Sequence, residues 1–374
     1  MEHASRERFS KIRVAIVGAG AAGCICAYFL LKEGINVTLF DKGSPLRTLL
    51  PTGGGRCNLA HAEYDFKELA KNYPRGEKFL LSAFSKFSTW DTLALFEELG
   101  IKTYTQDDNR IFPISNSAKE VRETILNKIR KAAIIKKEIL SLKDLENEFT
   151  HIVVATGGHA GYELLKEYDI NIIEPKPSLV GLNTKENFKD ISGTVCHGVN
   201  AKGLYGDILF THFGVSGPLV YKISSIKAFE KFPYEIEFDL APTLTNLQEI
   251  LNISPHKEIK NILREYLPQK LASKILLDID ETTKAHSING KTRDLILDRI
   301  HKFRVTVCGT NRGEETVTAG GVDLNEINPK TMEVKGVNGL YCIGEVLNID
   351  GFCGGFNLQN AWTTAFIAAE NIKQ

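Results

Sequence analysis

The sharpest patterning lies near the start of the chain. Val14-Ala15-Ile16-Val17 is an unbroken apolar run, a glycine-spaced segment follows, apolar positions continue at helical spacing to about Lys32, and a second apolar run, Asn36 to Phe40, ends on Asp41. Short apolar runs bounded by turns predict buried strands, and the helix between them makes the unit βαβ. Over 76–100, Phe79, Leu80, Phe84, Phe87, Leu93, Leu95, Phe96 and Leu99 recur at helical spacing, with Gly100 as a C-cap. An extended Arg110-Ile111-Phe112-Pro113 precedes a helix predicted over Ser117 to Lys131 and a strand over Ala132 to Lys136. A further buried strand at His151-Ile152-Val153-Val154 runs into Ala155-Thr156-Gly157-Gly158. The pattern breaks at Pro175 to Pro177, after which 178–240 reads as short strands with turns and 243–302 as helices. Strands at Thr318 to Val322 and Gly339 to Glu345, then a helix from Gly354 to about Ile372, return to the first type. The expected fold class is α/β, a Rossmann-type domain carrying an inserted β-rich subdomain and a helical subdomain. Its divisions are 1–176, 177–242, 243–302, a return strand over 303–316, and 317–374.

The segment between the first two strands carries chemistry. Gly18-Ala19-Gly20-Ala21-Ala22-Gly23 is the dinucleotide fingerprint in its full strand-turn-helix context. Gly18 permits the tight turn, Gly20 lets a pyrophosphate approach the backbone, and Gly23 lets helix and strand pack closely. The helix N-terminus adds free N–H donors and a positive dipole end for the anion. Asp41, followed by Lys42, is placed to accept from a ribose hydroxyl.

Composition changes little in this picture. The 374 residues are 43% hydrophobic and 25% charged, with 46 Lys plus Arg against 46 Asp plus Glu. That is a globular composition with no global field for nucleic acid, and the length predicts two or three domains. No apolar run approaches the roughly 20 residues of a membrane span, and residues 1–11 are polar with no apolar signal core, so a frayed N-terminus and a cytoplasmic location are expected. The seven cysteines are scattered without a CxxC pair, which predicts neither a disulfide framework nor a metal site. Lys257 to Arg304 holds eleven Lys or Arg against seven Asp or Glu, with His256, His286 and His301 nearby. This reads as a solvated helical face, with a nucleic-acid or substrate-docking face as the other reading.

Three glycine clusters far apart in the sequence are more than a single nicotinamide nucleotide needs, and they predict FAD. Thr52-Gly53-Gly54-Gly55-Arg56-Cys57-Asn58 is a loop fit to wrap a flat cofactor. Thr156-Gly157-Gly158 marks a carboxyl edge of the sheet. Gly344-Glu345 suits the ribityl region, and Gly354-Gly355-Phe356-Asn357-Leu358 opens a helix whose N–H groups suit the flavin pyrimidine. Only one complete fingerprint exists, so NAD(P)H, if it is the reductant, visits transiently. For a proton donor, Cys57 and His212 are the candidates near neutral pH. Cys57 reads first as a small packing residue, and His212, in Asp207 to Pro218, equally as a loop-fixing hydrogen-bonder.

The fingerprint together with TGGGRCN (52–58), NRIFP (109–113), ATGG (155–158), LFTHFGVSGP (209–218), TAGGV (318–322), INPKTME (327–333) and GLYCIGEVLNIDGFCGGFNLQNAW (339–362) resembles the BaiN/RdsA family of FAD-dependent oxidoreductases over nearly the whole chain. The resemblance implies FAD reduced by NAD(P)H. It further implies either reduction of a uridine of large-subunit ribosomal RNA to dihydrouridine or double-bond chemistry on steroid-like small molecules. A non-enzymatic FAD-bound module that binds RNA or protein is the competing class. The chain departs from the family where Thr52 replaces a serine, Ala60-His61 a Thr-Asn pair and Asn348 an aspartate, and where 159–170 is short.

Overall fold

The computed structural model describes residues 12–311, 313 and 317–373, so the polar N-terminal segment lies outside the described residues. The chain divides into two compact units, 1–176 with 317–374, and 177–316.

The first unit is organised by a parallel sheet. Its strands are β1 (Arg13–Val17), β2 (Asn36–Asp41), β3 (Ala133–Lys136), β4 (His151–Val154) and β5 (Leu340–Cys342), in the order β5-β4-β1-β2-β3. Val14 pairs with Val37 on one side and with His151 on the other, and Ile152 pairs on with Leu340. Val14, Ala15 and Ile16 are wholly buried, as a central parallel strand covered on both faces must be. Helix α1 (Ala21–Lys32) follows β1 directly, and α2 (Phe356–Ile372) packs on it. A small antiparallel sheet, Ala60–His61, Arg110–Pro113 and Thr103–Thr105, stands beside the amino end of α2, with His61 opposite Arg110.

Several elements end sooner than the pattern predicts. Residues 76–100 form two helices, Glu77–Phe84 and Thr89–Leu99, because Ser88 and Asp91 close a capping box that starts the second. The helix after Ser117 stops at Lys128, and β5 stops at Cys342 because Gly344 turns with φ +72°.

The second unit holds a six-stranded antiparallel sheet in the order 195–201, 204–210, 214–216, 182–184, 303–310, 234–238. Asn200 and Asp239 exchange backbone hydrogen bonds of 3.0 and 2.8 Å, joining the two outer strands, so the sheet closes on itself. Phe188, Phe210, Phe238 and Val305 fill its interior, and helices 247–253, 259–263, 269–275 and 290–301 share the same core. One helix inside the β-rich stretch escapes the pattern. Pro218–Ile226 starts on Pro218 at its first position and buries Leu219, Val220 and Ile223, too short a run to separate from a strand by periodicity.

Candidate functional site

The three fingerprint glycines do different jobs. A Cβ on Gly18, whose φ is +107°, meets the Ala155 carbonyl oxygen at 2.3 Å, and one on Gly23 meets the Gly18 oxygen at 2.0 Å. These two hold β1, β4 and α1 together. A Cβ on Gly20 meets nothing within 4 Å. Gly20 caps α1 with no side-chain hydrogen bond, so the first N–H groups of Ala21 and Ala22 face a bare seam fit for a pyrophosphate. Asp41 closes the turn: its Oδ2 accepts from Ala19 N at 2.7 Å and its Oδ1 from Gly43 N at 2.6 Å, which leaves one acceptor direction on each oxygen for a ribose hydroxyl. Lys42 points away from such a role, its ammonium pairing with Glu138 at 3.0 Å on the surface.

The 52–58 loop winds through left-handed backbone at Gly53, Gly54, Gly55 and Cys57, with φ of +58°, +69°, +86° and +65°. Gly53 packs against Phe112, whereas Gly54 and Gly55 have open space where a Cβ would stand. Thr52 Oγ1 donates to Leu49 O at 2.6 Å, and Arg56 donates to Gly53 O at 3.2 Å while its guanidinium lies 4.1 Å over the Phe112 ring. With its amide oriented to satisfy its neighbours, Asn58 accepts from Gly355 N at 3.0 Å and donates to Ala60 O and Ile111 O. This loop is thereby tied to the amino end of α2.

At the end of β4, Thr156 Oγ1 is buried with no hydrogen-bond partner among the described residues, an acceptor and donor left for something else. Gly157 turns with φ +78° and open space, while Gly158 packs on Thr318 and Glu345. Glu345 is held by Thr318 N at 2.9 Å, and burial raises its carboxyl above the usual range. Gly344 brings the end of β5 onto the fingerprint helix, since a Cβ there meets Ala22 Cβ at 2.8 Å, and its N–H donates to Thr364 Oγ1 at 2.9 Å.

The loop before α2 is pinned at several points. Arg75 and buried Asp350 form an ion pair, Asn357 clasps the Gly351 backbone at 2.8 and 2.9 Å, and Tyr73 OH donates to Phe356 O at 2.6 Å. Gly355, φ +98°, has no room for a side chain because Ala60 O lies 2.4 Å from its Cβ position. Sequence reasoning missed His61 and Cys353 as site residues. His61 stacks on Phe356 at 4.5 Å with Nδ1 3.1 Å from Gly354 O, and burial pushes its imidazole below the ordinary value. Cys353 is exposed, within electrostatic reach of Arg110. No sequence signal marks it, since its exposure and its nearness to the Arg110 charge come only from the fold.

Of the two proposed acids, Cys57 is wholly buried and burial pushes its thiol up to about 12. Burial of the sulfur under its own loop speaks against its assignment as an acid and supports the packing reading. His212 is exposed in the second unit, its ring against Phe213. The structure therefore gathers the three glycine clusters, Asp41, Asn58, Thr156 and Glu345 in the first unit. Among the described residues no three His, Cys, Asp or Glu side chains could hold a metal, and no helix is long and apolar enough to cross a membrane.

Residues 12–371 match the family described as the HI0933-like protein Rossmann domain. The chain belongs to this family. It is 31% identical to the ribosomal RNA dihydrouridine synthase of Haemophilus influenzae, over 96% of this chain and 98% of that protein. It is 30% identical to the protein of the same name from Escherichia coli, over 98% of each. It is also 26% identical to the 3-dehydro-bile acid delta(4,6)-reductase of Clostridium scindens, over 95% of this chain and 98% of that one. The relatives of this HI0933-like chain thus bear names for work on a polymer and on a small molecule.

Proposed function

We propose that this HI0933-like protein is an FAD-dependent oxidoreductase that uses NAD(P)H to reduce a uridine of large-subunit ribosomal RNA to dihydrouridine. The observation that supports the cofactor is the buried, unpartnered Thr156 hydroxyl next to Gly157, together with the open space where a Cβ would stand at Gly20, Gly54, Gly55 and Gly157. The full-length relatives named for ribosomal RNA support the substrate. Gly18 to Gly23 would hold the pyrophosphate, Asp41 the adenosine ribose, Gly344-Glu345 the ribityl chain, and Gly355 to Leu358 the ring, with the 52–58 loop wrapped over it. Bound FAD supplies hydride transfer. The chain contributes the positive end of α2, whose N–H groups beyond Gly355 favour negative charge on the pyrimidine. It also contributes a proton donor a substrate can reach, for which Cys353 and His212 are the exposed candidates.

Mass spectrometry of ribosomal RNA from a deletion strain tests the substrate. Loss of one dihydrouridine, restored by the gene, is expected. Unchanged RNA together with NAD(P)H-dependent reduction of an enone would move the assignment to the small-molecule reading that the Clostridium relative supports. In anaerobic stopped-flow, NADH or NADPH should bleach the flavin band near 450 nm, roughly where oxidised flavins absorb, without a long-lived nucleotide complex.

A further inference from the structure

The second unit carries a face whose chemistry the cofactor site does not use. On the helix Pro218–Ile226, Lys222 and Ile226 stand one turn apart on one side. Lys222 reaches the Tyr205 carbonyl at 3.3 Å on the neighbouring strand. The chain then runs Lys227-Ala228-Phe229-Glu230-Lys231-Phe232-Pro233-Tyr234. Phe232 and Tyr234 stack with rings 5.5 Å apart and 19° from parallel, and Lys227 Nζ sits 4.6 Å over the Tyr234 ring. Tyr205, Ile226, Phe229 and Phe232 are exposed, Tyr205 by 61% and the others by 44–47%.

Exposed aromatic rings interleaved with lysines are a means of stacking bases while neutralising phosphates. Between 222 and 234 three lysines meet one acid, Glu230, which Lys227 engages at 3.5 Å. Of the acids on the adjoining strand, Glu237 is taken by Arg304 and Glu235 is exposed. Among the described residues no carboxylate lies within ion-pair distance of Lys202, Lys222 or Lys231. The helical stretch 257–304 is richer in lysine and arginine, and most of those cations are ion-paired. There Glu258 takes Lys260 and Lys284, Glu265 takes Lys257, Asp190 takes Lys274, and Asp298 takes Lys302. What sets the 222–234 face apart is that its lysines stand among exposed rings.

We propose that the face formed by Tyr205, Lys222, Lys227, Phe229, Lys231 and Phe232 binds single-stranded RNA, the phosphates against the lysines and the bases against the rings. This rests on the ribosomal RNA reading and assigns substrate docking to the second unit. The probe is a fluorescein-labelled unstructured RNA of about 20 nucleotides, enough to span a single-strand site, titrated by anisotropy against the FAD-loaded full chain over a series of salt concentrations. Changing Lys222, Lys227 and Lys231 together to Gln should lower the slope of log Kd against log salt by about 2, near 0.7 for each phosphate that is no longer neutralised on a single strand. Phe229→Ser with Phe232→Ser should weaken binding about tenfold or more at one salt concentration and leave the slope unchanged. Flavin content and the rate of flavin reduction by NAD(P)H should stay at wild-type values in both.

Wild-type Kd and salt slope in both variants, or no RNA binding by the parent protein, would overturn the inference. So would tighter, patch-dependent binding to phosphatidylserine vesicles than to RNA, which would make the face a lipid-docking surface. Failure of the functional reading looks different: ribosomal RNA from the deletion strain keeps every dihydrouridine while the variants still lose RNA binding.

Discussion

Gly20→Ala and Gly23→Ala separate the cofactor seam from the packing around it. The two substitutions add the same methyl group within one turn of each other. On Gly23 it stands 2.0 Å from the Gly18 carbonyl oxygen, a backbone atom that cannot move without moving β1. Overpacking of this kind costs about 1–3 kcal/mol. Against a total stability of about 5–15 kcal/mol, Gly23→Ala should lower the urea midpoint visibly. On Gly20 the methyl meets no atom of the protein, and the backbone there, φ −81°, suits any residue. The gain of about 0.4–1 kcal/mol from restricting the unfolded chain offsets the loss of a favourable helix cap, so apoprotein stability should hold within about 0.5 kcal/mol.

FAD affinity should follow the opposite order of directness. A pyrophosphate against Gly20 is pushed off by the new methyl, and a backbone hydrogen bond to a charged group is worth about 1.5–3 kcal/mol. At about 1.4 kcal/mol per decade that is about 10- to 100-fold in Kd. Urea titration of the apoprotein by circular dichroism and FAD titration by quenching of flavin fluorescence read the two quantities separately. If Gly20→Ala binds FAD with the wild-type Kd, or unfolds as early as Gly23→Ala, the assignment of the seam is wrong.

Arg75→Ala removes the guanidinium that faces the buried Asp350 carboxylate and should cost about 3–5 kcal/mol by urea unfolding, with part of the loss recovered in the Arg75→Ala, Asp350→Asn double variant. Ellman's reagent should titrate Cys308 and Cys353 promptly in the folded protein and the five buried thiols only on unfolding, the Cys57 thiol being pushed up to about 12. Glu345 has a raised folded-state pKa, so the folded state binds the proton more tightly and stability falls as pH rises from the unfolded carboxylate value through the folded one. Glu345→Gln should remove that fall, seen as a flatter plot of urea midpoint against pH. Cys353→Ala and His212→Ala, made separately, should leave flavin reduction by NAD(P)H near the wild-type rate. Whichever residue donates the proton should slow acceptor reduction by about 10² or more. Equal turnover in both would remove both from the mechanism.

What can be read along the chain is what is local. The βαβ unit is legible because β1 and β2 are continuous apolar runs and the glycine spacing between them has one structural use. The split at Ser88 and the helix from Pro218 are legible only in part, since each turns on one cap in a short stretch. What cannot be read is which distant atom each residue answers to. Gly18 must be glycine because of Ala155 O, at a strand end far along the sequence. Lys274 is silent as a basic residue because Asp190, 84 residues earlier, meets it at 2.8 Å. Cys57 and Cys353 show the same limit, for both lie beside glycine-rich signals and only burial tells the sealed thiol from the reachable one.

Asn348 is the reverse case. Its replacement of an aspartate looks like a change of chemistry, yet its Oδ1 accepts from Gly320 N at 3.1 Å, which an amide oxygen does as readily as a carboxylate. Gly320 turns there with φ +97°, its Cβ position 2.8 Å from Glu174 O, so the hydrogen bond fixes a crowded backbone crossing near Thr318 and Glu345. A neutral acceptor also adds no further negative charge near Glu345, whose carboxyl is already raised by burial and by buried Asp350. The substitution thus conserves the hydrogen bond the fold needs. Departures of this kind alter the support of the site rather than its chemistry.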